Sequence, residues 1–174
     1  MRMTVVSVNC KDPPPGEAVK PLSFAQRKAL SALLVALQFA CMLLLPALAL
    51  PALQHGAIPA ATLLLGGSSA ALMAWTLLHN RLGNFNIRPL PKAYGSLVTS
   101  GPYRWIRHPM YSAVLLGGAA LALMSDPAPG WALWACLALV LFVKSTFEER
   151  WMREQHPAYR DYAAVSKRFV PLIF

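Results

Sequence analysis

The sequence predicts an all-α fold, a polytopic membrane helix bundle of four transmembrane helices with the last two forming a helical hairpin. Composition is the first reason: 56% of the 174 residues are apolar and only 13% are charged, whereas roughly a quarter of the residues are charged in an ordinary soluble domain. Clustering is the second reason. The apolar residues gather in four stretches separated by polar segments, which is typical of a chain that crosses a bilayer repeatedly.

The first two helices are predicted at residues 29–53 and 58–78. Neither stretch has a charged residue, and each can span the hydrocarbon core, which needs about 20 residues. Pro46 and Pro51 predict a kink or a shortened regular part in the first helix. Small residues at 66–71 predict close contact between the second helix and a neighbour.

The hairpin is predicted from two shorter apolar stretches, residues 110–124 and residues 131–147. The segment between them, 125–130, has the composition of a turn. Trp131 and Trp134 suit the outer membrane interface, where tryptophan is enriched.

The distribution of positive charge predicts the orientation. All 16 Lys and Arg residues lie in the N-terminal tail, in the segment 81–108 or from residue 144 onward, and the turns 54–57 and 125–130 have none. Because cytoplasmic segments carry the Lys and Arg excess, both termini are expected in the cytoplasm. The chain then divides into a cytoplasmic tail, 1–28, and one membrane-embedded domain, 29–174, in the inner membrane if the protein is bacterial.

This orientation also explains the net charge of +9, so nucleic acid is not an expected partner. The three cysteines are scattered and show neither a metal-ligand spacing nor a disulfide framework, so no metal site is expected. The expected partners are membrane lipids and a lipophilic substrate.

The segment from Leu97 to Tyr111 separates the two pairs of helices and is rich in aromatic and cationic side chains. Gly101-Pro102 indicates a turn. Pro109 suits the first turn of a helix, where the missing N–H costs little. The pattern predicts a turn, a short polar and aromatic segment, and then the start of the third helix.

Two adjacent carboxylates, Glu148 and Glu149, lie at the inner end of the last apolar helix. Ionisable groups at membrane depth are costly and indicate a functional site. For Glu149 the alternative is an ordinary i,i+4 surface pair with Arg153. The remaining chain predicts a short helix near 156–162 and an extended end that lies back across the inner mouth of the bundle.

These motifs together resemble the isoprenylcysteine carboxyl methyltransferase family of integral membrane enzymes, whose general plan the phospholipid methyltransferases share. The resemblance rests on Leu-Val-Thr-Ser-Gly-Pro-Tyr, Arg-His-Pro-Met-Tyr, the Glu-Glu pair, Tyr-x-x-Tyr and the closing Arg-Phe-Val-Pro. It covers residues 88–171 and implies methyl transfer from S-adenosyl-L-methionine, with S-adenosyl-L-homocysteine as product, to a lipophilic acceptor at the cytoplasmic membrane face.

The resemblance also implies roles for individual residues. The implied cofactor-binding residues are Arg88, Leu97, Val98, Tyr103, His108, Pro109, Met110, Tyr111 and Glu148. Lys144 matches a basic position associated with the substrate, but a lysine cannot form the bidentate carboxylate fork of an arginine, which argues against a prenylcysteine carboxylate. If the acceptor is a neutral amine or phenol, His108 and Glu149 are the expected catalytic bases, whereas an anionic acceptor needs none.

Two other functions fit parts of the same pattern. A membrane NADPH-dependent reductase of the sterol reductase type shares the His-Pro-x-Tyr and terminal Tyr and Pro pattern, although the Glu-Glu pair and the short chain favour the methyltransferase. A non-enzymatic membrane adaptor with the same fold would bind no cofactor. The residues leave open whether a methyl acceptor presents a carboxylate, a thiol or an amine.

Overall fold

A computed structural model of the protein describes residues 23–56, 58–80 and 97–171. This part of the chain is helical, with one isolated β-bridge. The elements are α1 (Phe24–Gln54), α2 (Ala60–His79), a short 3₁₀ helix (Gly101–Arg104), α3 (Pro109–Met124), α4 (Pro127–Gln155) and α5 (Tyr159–Val165). Four of the helices are the apolar helices that the sequence predicts.

Helix α1 begins earlier than predicted because Ser23 caps it. The Ser23 hydroxyl accepts a hydrogen bond from the Gln26 N–H, and the Gln26 side chain accepts one from the Ser23 N–H. This reciprocal capping box satisfies two N–H groups at the helix start. Pro46 and Pro51 lie inside the helix, which continues to Gln54, so the predicted shortening is wrong. Membrane helices tolerate internal prolines in this way.

Helix α2 packs on α3 through small residues, as the sequence predicts for this region. The Ser69 hydroxyl donates a hydrogen bond to the Ala113 carbonyl oxygen at 2.7 Å. Gly117 faces the same hydroxyl, and a Cβ at Gly117 would lie 2.9 Å from Ser69 Oγ. A hydrogen bond at such close approach is a common form of contact between membrane helices.

Helices α3 and α4 form the predicted hairpin, but their connection is shorter than expected. The predicted six-residue turn, 125–130, is wrong because α4 already begins at Pro127. Proline is favourable in the first helical turn, where N–H groups have no intrahelical partner. Gly130 allows the tight hairpin, because a Cβ there would lie 2.8 Å from Ser125 Cβ.

The bundle core lies where α1, α3 and α4 meet. Its buried members are Cys41, Leu45, Ala122, Leu137 and Leu141. Large apolar side chains on the opposite faces, such as Leu43, Leu64 and Leu78, are exposed. Exposed apolar faces of this size fit contact with lipid and not with water.

Three described helices are long and apolar enough to cross a membrane: Ala25–Gln54, Ala60–His79 and Pro127–Glu154. Helix α3 is apolar but has 16 residues, so it is about 24 Å long and shorter than the hydrocarbon core of about 30 Å. Helix α4 has 29 residues and is about 43 Å long, so one end extends past the core. The paired carboxylates lie on that end.

Candidate active site

The segment that precedes α3 folds as the sequence predicts. Gly101 has a φ of +58°, a conformation that glycine adopts without strain, and starts the 3₁₀ turn. The His79 ring packs against Gly101 so closely that a Cβ would lie 2.4 Å from it. The turn therefore docks on the end of α2 and leads directly to His108 and Pro109, which open α3.

The C-terminal segment pairs with this same stretch of backbone. Lys167 N–H donates to the Trp105 carbonyl at 2.8 Å, and Arg107 N–H donates to the Lys167 carbonyl at 2.7 Å. His108 N–H donates to the Arg168 carbonyl at 3.1 Å. The predicted return of the extended end across the mouth of the bundle is confirmed, and it brings residues from the two ends of the motif together.

Three rings form the aromatic part of the site. The His108 and Tyr111 rings are stacked, with centroids 5.3 Å apart and planes 1° from parallel. Phe169 is tilted against both rings at 5.8 and 6.5 Å. Ser112 holds Phe169 in place by donating its hydroxyl hydrogen to the Phe169 carbonyl at 2.6 Å.

Glu148 faces this aromatic group. The Tyr111 hydroxyl donates to Glu148 Oε1 at 2.6 Å, and His108 Nδ1 lies 3.5 Å from Glu148 Oε2. The Glu148 side chain keeps 19% of its surface exposed. Because a carboxylate has about four acceptor positions, Glu148 can still accept hydrogen bonds from a ligand.

Glu149 has a different environment and is 1% exposed. Its Oε1 accepts from Arg107 Nε at 2.9 Å and from Arg168 Nε at 3.1 Å. Its Oε2 accepts from Arg168 Nη2 at 3.1 Å and from Arg153 Nη2 at 3.2 Å. His108 Nε2 is 3.3 Å from Oε1. The predicted Arg153 pair is therefore present, but its carboxylate is buried and shared by three guanidinium groups.

Arg107 ties this cluster to the C-terminal segment. Its guanidinium also donates to the Ser166 and Ala163 carbonyl oxygens. The charge distribution along the sequence gives Arg107, like the other Lys and Arg residues, a role in membrane orientation. In the structure it belongs to the buried network around Glu149.

Lys144 lies one turn before Glu148 and is 2% exposed. Its ammonium donates to Gln38 Oε1 at 2.8 Å and lies 5.1 Å from the centroid of the Tyr111 ring. Gln38 is on α1, so the first helix contributes to the site. This contact was not predicted, because the apolar sequence of α1 shows no pattern that would pair Gln38 with a residue of α4.

Two tyrosines outside the membrane-spanning helices, Tyr103 and Tyr162, contact each other beside this network. Burial and, secondarily, the negative charge of Glu148 raise the pKa of Tyr103 to about 12. Burial likewise raises the pKa of Tyr162 to about 12, and its hydroxyl donates to the Tyr103 carbonyl at 2.6 Å. Both phenols thus stay protonated at neutral pH, where they can donate hydrogen bonds but cannot act as bases.

The predicted site residues separate into two groups. One group forms a connected network and consists of His108, Tyr111, Lys144, Glu148 and Glu149. Pro109, next to His108, is buried, and four other predicted residues are half-buried: Leu97, Val98, Tyr103 and Met110. Arg88 lies outside the described residues.

Arg168 and Phe169 are two further contributors that the site prediction did not single out. They are adjacent members of the closing Arg-Phe-Val-Pro motif, which was the signal available in the sequence. Within residues 23–56, 58–80 and 97–171, no group of three or more His, Cys, Asp and Glu side chains is placed to hold a metal ion.

Comparison with known proteins identifies the family. Residues 58–158 match the phospholipid methyltransferase family. A segment of 78 residues is 36% identical to the cobalt-zinc-cadmium resistance protein CzcN of Cupriavidus metallidurans. That alignment covers 44% of this chain and 36% of the relative, so it spans about a third of the length of CzcN. The family match, which includes the whole of α2, α3 and α4, establishes that this chain belongs to the phospholipid methyltransferase family, the family of the isoprenylcysteine carboxyl methyltransferase-like integral membrane methyltransferases.

Proposed function

We propose that this protein transfers a methyl group from S-adenosyl-L-methionine to a lipophilic acceptor. The family match supports a membrane methyltransferase. The observation that carries the proposal is the position of Glu148: a partly exposed carboxylate at the end of a long apolar helix, held by His108 and Tyr111. An ordered carboxylate that keeps acceptor positions open beside aromatic rings supports a ligand site.

The residues present fit the chemistry of this cofactor. Stacked or tilted aromatic rings suit the flat face of adenine, and His108, Tyr111 and Phe169 provide them. A carboxylate with spare acceptor capacity suits an ammonium group or ribose hydroxyls, and Glu148 provides it. We assign Leu97, Val98, Tyr103, Pro109 and Met110 to the same pocket on the resemblance of their motif, and Arg88 on the resemblance alone.

The bound cofactor would supply an electrophilic methyl group on a sulfonium and leave as S-adenosyl-L-homocysteine. The protein would position the two reactants and exclude water. Positioning alone can contribute about 7–11 kcal/mol in well-oriented systems. Lys144, at the membrane side of the network, would bind the acceptor.

The contacts of His108 and Glu149 favour an acceptor that needs no base. Glu149 already accepts from three guanidinium groups, and each ring nitrogen of His108 faces a carboxylate oxygen. An anionic carboxylate or thiolate has no proton to lose before methylation, whereas a neutral amine or phenol does. The catalytic roles predicted for His108 and Glu149 stay predictions; we propose that both position the site.

One ion pair of the structure supports a proposal for the orientation of the protein. Arg27 of α1 pairs with Glu154 of α4 at 3.2 Å, so the start of α1 and the end of α4 share one end of the bundle. The site lies at that end. We propose that it faces the cytoplasm, since cytoplasmic segments carry the Lys and Arg excess.

Calorimetric titration with S-adenosyl-L-homocysteine, with NADPH run in parallel, tests the cofactor assignment. We expect saturable binding of the first ligand and none of the second. Glu148→Ala should weaken that binding by about tenfold or more, because hydrogen bonds to charged groups contribute about 1.5–3 kcal/mol. Glu154→Ala, at an exposed carboxylate on the same helix, is the control and should bind like the wild type.

Binding of NADPH alone would replace the methyltransferase proposal with the reductase. If neither ligand binds to folded protein, the cofactor assignment is wrong. Equal affinity of the wild type and Glu148→Ala would remove Glu148 from the site.

A further inference from the structure

Helix α1 precedes the family match, which begins at residue 58, yet it contributes a polar side chain to the centre of the bundle. Gln38 is 9% exposed, and its Oε1 accepts the hydrogen bond from the Lys144 ammonium at 2.8 Å. The surrounding residues of α1, from 29 to 53, carry no formal charge. An amide buried at this depth is costly without full hydrogen bonding, so its position calls for an explanation.

Both partners of this contact have hydrogen-bonding capacity to spare. An ammonium has three N–H donors, and the contacts that the described residues give Lys144 are the Gln38 oxygen and the face of the Tyr111 ring. The Gln38 amide N–H group faces Met42 Sδ at 3.8 Å, and a thioether is a weak acceptor. The pair therefore offers two weakly used donors side by side.

The negative charge of Glu148, one helical turn further along α4, acts on the Lys144 ammonium from outside direct contact. Glu149 is engaged by the three guanidinium groups, and the described residues place no carboxylate oxygen within 4 Å of the Lys144 ammonium. A buried cation without a direct counter-ion is stabilised strongly by any anion that reaches it.

We propose that Gln38 is a specificity-determining residue for the methyl acceptor, and that it forms with Lys144 a two-donor clamp for an anionic oxygen group on a lipid-soluble molecule. This inference rests on the proposed function and names the acceptor class for the same site. A lysine alone is a point charge without the fork geometry that reads a carboxylate. Gln38 supplies the missing second donor and orients the ammonium by occupying one of its three hydrogens.

A binding experiment with a simple anionic probe tests this clamp. The protein in neutral maltoside detergent, saturated with S-adenosyl-L-homocysteine, is titrated with dodecanoate and separately with dodecanol, which has the same chain without the charge. Gln38→Leu should weaken dodecanoate binding by about tenfold or more, because a hydrogen bond to a charged group is lost. Dodecanol binding and S-adenosyl-L-homocysteine binding should stay unchanged.

Gln54→Leu is the matched control, because Gln54 is an exposed glutamine at the C-terminal end of α1, and it should bind dodecanoate like the wild type. If Gln38→Leu does not fold, Gln38→Glu keeps the side-chain size and should also lose dodecanoate binding, because its carboxylate neutralises Lys144. Wild-type dodecanoate affinity in either folded variant would overturn the proposal, as would failure of the wild type to bind dodecanoate. Failure of the wild type to bind S-adenosyl-L-homocysteine would instead contradict the cofactor assignment.

Discussion

Glu148 and Glu149 are adjacent in the sequence, but they have separate environments. Glu148 keeps part of its surface open beside two aromatic rings, whereas Glu149 is buried among Arg107, Arg153 and Arg168. Successive residues on a helix point about 100° apart, so two neighbours can face different surroundings. One carboxylate is therefore available to a ligand, and the other holds three elements together.

Replacing Glu149 by glutamine tests its structural role. The amide would leave three guanidinium groups around a buried position without their shared anion, and breaking a buried ionic network by removing one partner costs about 3–5 kcal/mol. We therefore expect Glu149→Gln to lower the thermal unfolding midpoint in detergent clearly and to speed proteolysis after residue 155.

Glu154→Gln is the control for this experiment, because Glu154 is about half exposed and pairs with Arg27 and Arg150 at the surface. Such pairs contribute about 0–1 kcal/mol. If the two variants unfold at the same temperature, Glu149 does not organise the end of the bundle where α4 meets the C-terminal segment.

The sequence identifies this pair of carboxylates but not the division of their roles. The i,i+4 spacing predicts only the Arg153 contact, because local periodicity reports on neighbours within one helix. Arg107 lies 42 residues away and Arg168 lies 19 residues away, so their convergence depends on how the chain folds. The Gln38 contact spans 106 residues and was missed for the same reason.

At the scale of elements, the sequence predicts all four apolar helices and the return of the C-terminal segment. Helix identity is predictable because long uncharged stretches have few alternatives in a membrane. Helix ends are less predictable. The turn expected at 125–130 is mostly the first turn of α4, since proline and glycine there are compatible both with a loop and with a helix start.

The packing of α1 on α4, which brings Gln38 to Lys144, can be tested with native cysteines. Cys41 and Cys136 are free thiols on these helices, with their sulfur atoms 3.9 Å apart. Copper phenanthroline should oxidise them to a disulfide, since a small movement reaches bonding distance. The oxidised protein is then treated with an alkylating reagent, which modifies only free thiols. Mass spectrometry of the monomeric protein should find one of the three cysteines alkylated, because the other two form the disulfide.

Cys41→Ser is the control and should show no intramolecular cross-link between α1 and α4. Alkylation of all three cysteines in the treated wild type would mean that the two helices do not pack in this register. In that case the Gln38 and Lys144 clamp would lose its structural basis.

At the scale of the whole molecule, the ion pair of Arg27 with Glu154 and the candidate site lie at the same end of the bundle. Helix α4 is longer than the hydrocarbon core, so its C-terminal end reaches the membrane surface, where the aromatic rings, the carboxylates and the C-terminal segment meet. Such a site can receive a water-soluble cofactor from one side and an apolar substrate from the lipid. The sequence predicts this end from its Lys and Arg residues, but not the contribution of α1.

The most direct test of this account is methyl transfer in sealed membrane vesicles. Two vesicle preparations contain the protein and a mixture of lipophilic carboxylates, thiols and amines: one is inside-out and the other is right-side-out. S-adenosyl-L-methionine with a labelled methyl group is added to the external solution of each. We expect label in the organic extract only from inside-out vesicles, and about background label with Glu148→Ala. If neither preparation of the wild type yields more label than vesicles without the protein, the proposed methyl transfer is contradicted. Label only from right-side-out vesicles would reverse the proposed orientation of the site.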